Sequence, residues 1–190
     1  MTHTVRRVLP HEYTKYRQHL KALDRDSQVL RFGYPIREEM IDEFCNTIEN
    51  DKDHHILFCV ENSQLEFIGI GHIALGDTME LAFSVLKEHQ GQGVGTLLMK
   101  RCIQWCRTHN VLDGMMVCLT TNGAIRHLCS KYGIRMENDH GETLASVHLD
   151  KADSTTYVEE AIDSNRAIAD WLTKRALLPL AMQTRLLAVL

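Results

Sequence analysis

The chain has 190 residues, of which 44% are hydrophobic and 24% charged, a composition typical of one globular domain with a full apolar core. Its formal net charge is -4, which argues against nucleic acid as a partner because that surface usually requires a basic excess. No apolar stretch approaches the roughly 20 residues that span a bilayer, so we expect no membrane partner. The six cysteines stand singly in apolar runs, which indicates reduced thiols and a cytoplasmic location.

The first half of the chain predicts a strand, two helices and then three strands. The strand is "TVRRVL"; a helix follows Pro10 and a second helix opens at Pro35. Three apolar stretches come next, "HILFCV", "FIGIGHIAL" and "MELAFSV", separated by the polar turns "ENSQ" and "GDT". Short apolar runs divided by turn residues are typical of an antiparallel meander, so the fold class is α+β.

The second half begins with a glycine-rich segment, "HQGQGVGT", which leads into an amphipathic helix that ends near His109. A strand "GMMVCLT", a short helix in "NGAIRHLCSKYG" and a last strand "TLASVHL" follow. From about Tyr157 the pattern becomes a long helix with an expected break at Pro179. We expect residues 1–150 to form the main domain and 151–190 a C-terminal helical extension, whose apolar stripe covers the core or joins two copies in a homodimer.

Three phosphate-binding schemes compete for the glycine segment. A P-loop needs a lysine before its Ser or Thr, but Gly95 precedes Thr96. A dinucleotide fingerprint needs a third glycine at the position of Thr96, and the preceding strands are predicted to be antiparallel. The third scheme, Gln/Arg-x-x-Gly-x-Gly between a strand and a helix, is matched by Gln90, Gly93 and Gly95.

A pyrophosphate needs close approach to backbone N–H donors, and a Cβ on the cradle residues would obstruct it or forbid the backbone angles. Glycine at 91, 93 and 95 removes that obstacle. The amides of Gln92 to Thr96 would then be the unsatisfied donors of a first helical turn, reinforced by the helix dipole. The alternative is that these glycines only make a tight turn.

With these residues in this order, the sequence resembles the GNAT superfamily of acyl-CoA N-acyltransferases over roughly Val5 to Leu149. It is closest in pattern to the GNAT domains of bacterial protein-lysine acetyltransferases. The resemblance implies a mixed, mostly antiparallel sheet flanked by helices, with acetyl-CoA as co-substrate and no metal. It implies transfer of an acetyl group to a primary amine by direct attack, the acceptor being a protein lysine or a small molecule. The alternative is a catalytically weak acyl-CoA sensor or assembly module.

The same resemblance assigns site residues. Those that would contact the cofactor are Ser84, Val85, Leu86, Gln90, Gly91, Gln92, Gly93, Val94, Gly95, Thr96 and Asn122. The Val85 N–H would be the oxyanion donor, and Glu80 would be the base that accepts a proton from the amine. Glu80 could instead be a solvated charge at a strand end, and Asn122 could be only a helix N-cap.

Two further positions bear on the chemistry that the resemblance implies. Many GNAT enzymes have a tyrosine seven residues after the asparagine, which protonates the leaving thiolate, but this chain has Cys129 there. Tyr132, three residues on, could substitute only if the helix were rotated. Arg31 and Phe32 fall where the fold forms part of the acceptor groove; the alternative is a core phenylalanine and an ion-paired arginine.

Four acidic residues near that groove would favour a cationic amine, and they are Asp24, Asp26, Glu38 and Glu39.

Overall fold

The computed structural model describes the backbone of residues 3–187 and their side chains except those of residues 139 and 179–187. One seven-stranded sheet has helices on both faces. Its strands are β1 Val5–Arg7, β2 His55–Glu61, β3 Phe67–Ala74, β4 Met79–Val85, β5 Asp113–Leu119, β6 Arg135–Asp139 and β7 Glu142–His148. The helices are α1 Tyr13–Lys21, α2 Arg25–Phe32, α3 Glu38–Asn50, α4 Val94–Thr108, α5 Gly123–Lys131 and α6 Ser154–Leu187.

The strand order across the sheet is β1-β2-β3-β4-β5-β7-β6. Every neighbouring pair is antiparallel except β4 and β5, which are parallel. These two strands pair only at Met79 with Gly114 and at Glu80 with Met115. The predicted α+β fold, with a mixed and mostly antiparallel sheet, is therefore confirmed, and a gap opens between β4 and β5 beyond residue 80.

The two faces of the sheet carry separate apolar clusters. On one face α4 buries Leu98, Met99 and Cys102 against the strands, and on the other α1 and α3 bury residues that include Tyr16 and Ile41. Because β2 and β3 are covered on both sides, they read as nearly continuous apolar runs.

Two glycines of β3 let α4 lie close to the sheet. A Cβ at Gly69 would come within 2.6 Å of Val94 Cγ1, and one at Gly71 within 2.8 Å of Cys102 Sγ. Both distances are too short for real carbon contacts, so the "GIG" spacing of the strand fixes where α4 begins. The glycine segment before Val94 is positioned by this packing.

The structure corrects the predicted helices in the first half. The segment that was expected between the first two helices is itself a helix, α2, capped by Asp24, whose carboxylate accepts from the Ser27 amide at 3.2 Å. It ends at Gly33 with φ +83, the left-handed conformation typical of a helix C-terminus. The next helix begins at Glu38 with Arg37 as its N-cap, rather than at Pro35.

Two corrections concern the second half. The polar segment before the last strand contains β6, an edge strand that pairs with β7. The sequence did not predict this strand, because an edge position needs little apolar surface and its residues are polar. Helix α6 runs to Leu187 with no break at Pro179. A proline removes one amide donor, which strains a helix without obliging it to end.

Helix α6 packs on the rest of the chain through polar contacts, through the buried Ala167 and through Trp171, whose ring centroid lies 5.6 Å from the Arg6 guanidinium carbon. Arg101 of α4 donates to Glu160 at 2.8 Å and to Ser164 at 2.9 Å, and Thr4 donates to Asp170 at 2.7 Å. Six of its large hydrophobic residues are exposed, and they are Tyr157, Val158, Ile162, Ile168, Leu172 and Leu177. None of the helices within the described residues is long and apolar enough to cross a bilayer.

Candidate active site

The glycine segment forms a turn that presents backbone amides at the start of α4. Gly91 and Gly93 have φ of 71 and 82, which side chains rarely adopt. Gly93 is the residue before the first helical position, and its carbonyl accepts from the Leu97 amide at 3.1 Å. The amides of Val94, Gly95 and Thr96 therefore have no helical acceptor, and together with the helix dipole they can bind an anion.

Gly95 differs from the other two glycines. It lies inside α4, and a Cβ there would meet only Leu128 Cδ1 at an ordinary 3.5 Å. Of the two roles expected for these glycines, Gly95 therefore does not have that of allowing unusual backbone angles. Because Gly95 has no side chain, it leaves open the cavity that it lines.

Gln90 ties the turn to two neighbouring elements. Its Nε2 donates to Ser27 Oγ of α2 and to the Val85 carbonyl of β4, both at 3.1 Å. Gln92 donates to the Glu88 carbonyl at 2.8 Å. The first glutamine of the motif thus orients the turn through protein contacts, which explains why an amide side chain suits this position.

A cavity of about 360 Å³ extends from this turn along β4 toward α2 and α5. The predicted residues that line it are Ser84, Val85, Gln90, Gly91, Gly93, Val94, Gly95, Thr96 and Asn122. Leu86, Gln92 and Glu80 are not among the lining residues. The lining residues that were not predicted to contact the cofactor are Ser27, Leu30, Arg31, Phe83, His89, Ala124, Ile125, His127 and Leu128.

Two backbone amides of β4 face the gap beside β5. The Leu86 amide donates to the Ile68 carbonyl at 2.9 Å, and bonded and non-bonded pairs alternate along an antiparallel ladder. Val85, opposite Gly69, is therefore in a non-bonded pair, and so is Phe83. Both amides point away from β3 toward β5, which no longer pairs with β4 at this height. Phe83 is a second donor that the sequence did not reveal.

The Ser84 hydroxyl is held by a buried histidine of α1, His19. His19 Nε2 lies 2.8 Å from Ser84 Oγ, and Nδ1 lies 2.8 Å from the Phe67 carbonyl. Since a carbonyl only accepts, the proton is on Nδ1, and the serine hydroxyl donates to Nε2. Burial lowers the pKa of His19 to about 4, so the ring is neutral at pH 7 and serves as an acceptor.

Glu80 is exposed at the start of β4, on the same sheet face as Ser84. No hydrogen bond or ion pair to its carboxylate is found among the described residues. Along a strand that rises about 3.4 Å per residue, its Cα is about 17 Å from that of Val85 and about 10 Å from that of Phe83. The structure does not bring Glu80 to the Val85 amide, so a proton would reach it through water.

Asn122 fulfils its structural role and also lines the cavity. Its side chain accepts from the Ile125 amide at 3.2 Å as the N-cap of α5. Cys129 is fully buried, and burial raises the pKa of its thiol to about 11. The Tyr132 hydroxyl donates to the Thr96 carbonyl at 3.4 Å. Neither Cys129 nor Tyr132 lines the cavity.

Arg31 and Phe32, the two residues expected at the acceptor groove, lie in different surroundings. Arg31 lines the cavity, whereas Phe32 packs edge-on against Phe44 with ring centroids 5.7 Å apart. Of the four acids, Asp24 is ion-paired with Lys87 at 2.8 Å, and Glu38 lies 3.4 Å from Lys21. Hydrogen bonds from Lys87 and Ser27 lower the pKa of Asp24 to about 2.

Within the described residues, no group of three or more His, Cys, Asp or Glu side chains is arranged to hold a metal ion. Cys102, Cys106 and His109 do not form such a group. The two cysteines are fully buried in the core, and His109 stacks on Trp105 with ring centroids 4.0 Å apart.

The sequence profile of the acetyltransferase (GNAT) family matches residues 20–134. No curated protein sequence matches the chain significantly. The match spans α2 to α5 and includes the glycine turn and the gap between β4 and β5.

Solved structures share the fold at low sequence identity. The GNAT domain of Streptomyces lividans PAT superposes with a TM-score of 0.66 at 18% identity, covering 78% of this chain and 92% of that one. A spermidine N-acetyltransferase from Vibrio cholerae in complex with CoA and spermine gives 0.59 at 18%, covering 77% and 94%. PaiA N-acetyltransferase from Thermoplasma acidophilum in complex with coenzyme A gives 0.58 at 12%, covering 78% and 99%.

Proposed function

The chain belongs to the acetyltransferase (GNAT) family, whose enzymes use acetyl-CoA, and we propose that it transfers the acetyl group to a primary amine by direct attack. The acceptor is a protein lysine or a small-molecule amine. One observation carries the proposal: β4 leaves β5 beside a cavity whose far end is the glycine turn. The cavity thus joins an anion-binding helix start to free strand amides.

The residues around this cavity fit acetyl-CoA. The amides of residues 92–96 would bind its pyrophosphate, because Gly91 and Gly93 permit the turn and the first helical amides lack acceptors. Ser84 and Val85 of β4, with Asn122 across the gap, would contact the pantetheine arm, whereas Leu86, which was also expected to do so, does not line the cavity. When bound, acetyl-CoA supplies an activated acetyl thioester.

The protein groups proposed for catalysis are a backbone donor and a carboxylate. The Val85 N–H, with that of Phe83 beside it, would stabilise negative charge on the acyl oxygen. An amine with a pKa of about 10.4 is protonated at pH 7, so attack requires a proton acceptor. Glu80, exposed and without an ion pair in the described part of the chain, would accept that proton through water.

The structural neighbours support an amine acceptor. The Vibrio cholerae neighbour is a spermidine N-acetyltransferase with spermine bound, and the Streptomyces lividans neighbour is the GNAT domain of PAT. At 18% identity these likenesses establish the fold alone, so the acceptor of this chain has to be measured.

The competing proposal is a CoA-binding sensor or assembly module with little transfer activity. It is favoured by Cys129, which is buried away from the cavity at the position where many relatives have a tyrosine acid. A free CoA thiolate is a moderately good leaving group, so the missing tyrosine does not prevent transfer.

We also propose that residues 1–150 form the catalytic domain and residues 151–190 a helical extension that pairs with a second copy. Val158, Ala161, Asn165, Ile168 and Leu172 follow the 3-4 spacing of a helix–helix seam. An antiparallel pair with a two-fold axis at Asn165 would set Val158 against Leu172 of the other copy, an isologous contact. A cytoplasmic location, with neither nucleic acid nor membrane as a partner, completes the proposal.

Isothermal titration with acetyl-CoA and with free CoA, followed by thiol release with amines and lysine peptides, tests the function. We expect binding of both ligands and amine-dependent thiol release. Binding without release from a broad amine panel would favour the sensor. If neither acetyl-CoA nor CoA binds, the glycine segment is only a structural turn.

A further inference from the structure

The cavity is lined by a guanidinium that has no carboxylate partner among the described side chains. Arg31, in the last turn of α2, lines the cavity. Among the described residues its side chain makes a single hydrogen bond, to Nδ1 of His72 at 3.4 Å, and no ion pair within 4 Å. An arginine has several N–H donors, so most of those on Arg31 have no acceptor in the described protein.

The groups around Arg31 are neutral. Its guanidinium lies over the rings of Phe32 and Phe44, at 5.0 and 5.6 Å. His72 must accept from Arg31 at Nδ1, because an arginine only donates, and therefore its proton is on Nε2, 2.9 Å from Nδ1 of His55. Burial lowers the pKa of His72 well below its usual value, and Arg31 lowers it further.

A second buried polar group, the Tyr16 hydroxyl, lies beside Arg31. It is fully buried and has no hydrogen bond of standard geometry within the described residues, and the Arg31 guanidinium is close enough to act as its donor. Burial raises the pKa of Tyr16, and the charge of Arg31 opposes that rise, so the two groups are close. The Tyr16 ring also packs edge-on against His72, with centroids 6.4 Å apart. Tyr16 does not line the cavity, so it is a buried neighbour of the guanidinium and not itself a contact for a ligand.

The position of Arg31 separates it from the phosphate-binding turn. Helix α2 runs beside β4: Ser27 contacts Gln90 at the glycine turn, and Arg31 lies one helical turn further along. There it contacts His72, whose register partner is Ala82 in the first half of β4. Arg31 is thus at the end of the cavity remote from the glycine turn, where the proposed function would bring acyl group and acceptor together.

Resting on the proposed acyl transfer, we infer that Arg31 binds a carboxylate of the substrate at the reacting end of the cavity. The planar fork of a guanidinium matches the two oxygens of a carboxylate. The acids that would instead attract a cation are partly neutralised, since Asp24 and Glu38 pair with lysines. The carboxylate comes either from a dicarboxylic acyl group on CoA or from the amine, as in an amino acid.

Two arms of one experiment distinguish these sources. In the donor arm, binding and turnover of acetyl-CoA are compared with those of succinyl-CoA and glutaryl-CoA, with calorimetry as the readout that is independent of activity. In the acceptor arm, each of several amino acids is compared with its carboxamide, which keeps the amine and removes the charge. We expect a preference for the carboxylate of roughly 10- to 100-fold in one arm.

The variant Arg31→Gln should abolish that preference, and Arg31→Lys should recover only part of it, because lysine keeps the charge without the fork. Arg25→Gln removes an equal charge from the first turn of the same helix, away from the cavity, and should keep the preference. Equal use of charged and neutral partners in both arms, or a preference that survives in Arg31→Gln, would overturn the inference. Absence of transfer and of CoA binding with every pair would overturn the proposed function as well.

Discussion

His19 of α1 and Ser84 of β4 form a buried hydrogen bond of 2.8 Å in which the histidine is neutral. Burial places the pKa of His19 at about 4, below the ordinary value of 6.5. Between pH 4 and 6.5, His19 binds a proton in the unfolded chain but not in the folded one. The contribution of the neutral His19 to stability is therefore fully present above pH 6.5 and is lost as the pH falls toward 4. This shift of the His19 pKa corresponds to about 3 kcal/mol of unfolding free energy.

We therefore expect the free energy of unfolding of the wild type to fall between pH 6.5 and 4, and that of His19→Gln to fall less. Glutamine keeps a donor for the Phe67 carbonyl and an acceptor for Ser84 without titrating. Urea denaturation at a series of pH values gives the comparison. His11→Gln, which removes an exposed histidine, should retain the wild-type slope. Identical slopes for wild type and His19→Gln would contradict the assignment.

Gly93 and Gly33 provide a matched pair of substitutions. Both have φ near +82, and a Cβ at either would meet nothing within 4 Å. Alanine at each position should cost about 1 to 2 kcal/mol of stability through the left-handed backbone alone. Only Gly93 belongs to the proposed pyrophosphate turn, so Gly93→Ala should weaken CoA binding at least tenfold and Gly33→Ala about twofold at most. Equal CoA affinities in the two variants would exclude this turn as the phosphate site.

Glu80→Gln tests the proposed base. Loss of a general base lowers turnover by roughly 10²- to 10³-fold, whereas CoA affinity should stay near that of the wild type because Glu80 does not line the cavity. The loss should shrink at high pH, where more of the amine is already unprotonated. Asp77→Asn, which removes an exposed charge in the preceding turn, is the control. A wild-type pH profile of turnover in Glu80→Gln would assign the proton to another group.

The exposed stripe of α6 predicts an oligomeric state. If a second copy covers it, Ile168→Lys should convert a dimer to a monomer in light scattering, because a lysine charge cannot be buried unpaired in that seam. Thr155→Lys, at an exposed position away from the stripe centre, should remain dimeric. A wild-type mass of one chain at micromolar concentration would remove the dimer from the proposal.

The sequence predicts best where a local pattern determines the structure. The glycine turn and α4 follow from spacing and backbone freedom, and the meander follows from apolar runs between turn residues. Helix α2 was missed although Asp24 and Gly33 are ordinary cap residues, since its eight residues carry too few apolar positions to show a helical period. The strand β6 was missed because its edge position permits polar residues.

The site beyond the glycine turn depends on contacts that are distant in sequence. His19 and Ser84 are separated by 65 residues and Arg31 and His72 by 41, and no periodicity indicates that either pair meets. The free amide of Phe83 depends on where β5 leaves β4, which is a property of sheet pairing. Residue types alone could therefore locate the proposed cofactor turn, but not the groups at the other end of the cavity.

Arg6 allows a test of the packing that holds the first strand. Its guanidinium lies 2.7 Å from Glu12 and 2.6 Å from Glu61, and both carboxylates are 4% exposed. Arg6→Met would leave two buried carboxylates with only Lys15 among the described residues, 3.4 Å from each, to balance them, so we expect a loss of up to about 3 kcal/mol in urea denaturation. Arg17→Met, which breaks more exposed pairs with Asp42 and Glu49, should cost at most about 1 kcal/mol.

If the loss comes from the two carboxylates that then share Lys15, and not from missing packing, then Glu12→Gln combined with Arg6→Met should recover part of it, since the second substitution leaves one carboxylate for one lysine. Acid should act in the same direction: although burial opposes it, hydrogen bonds from Arg6 hold the pKa of Glu12 below its usual value in the wild type, so Arg6→Met should lose less stability than the wild type as the pH falls. A double variant as unstable as the single one, with the same loss in acid as the wild type, would show that the contribution of Arg6 is packing against Phe67 and Trp171.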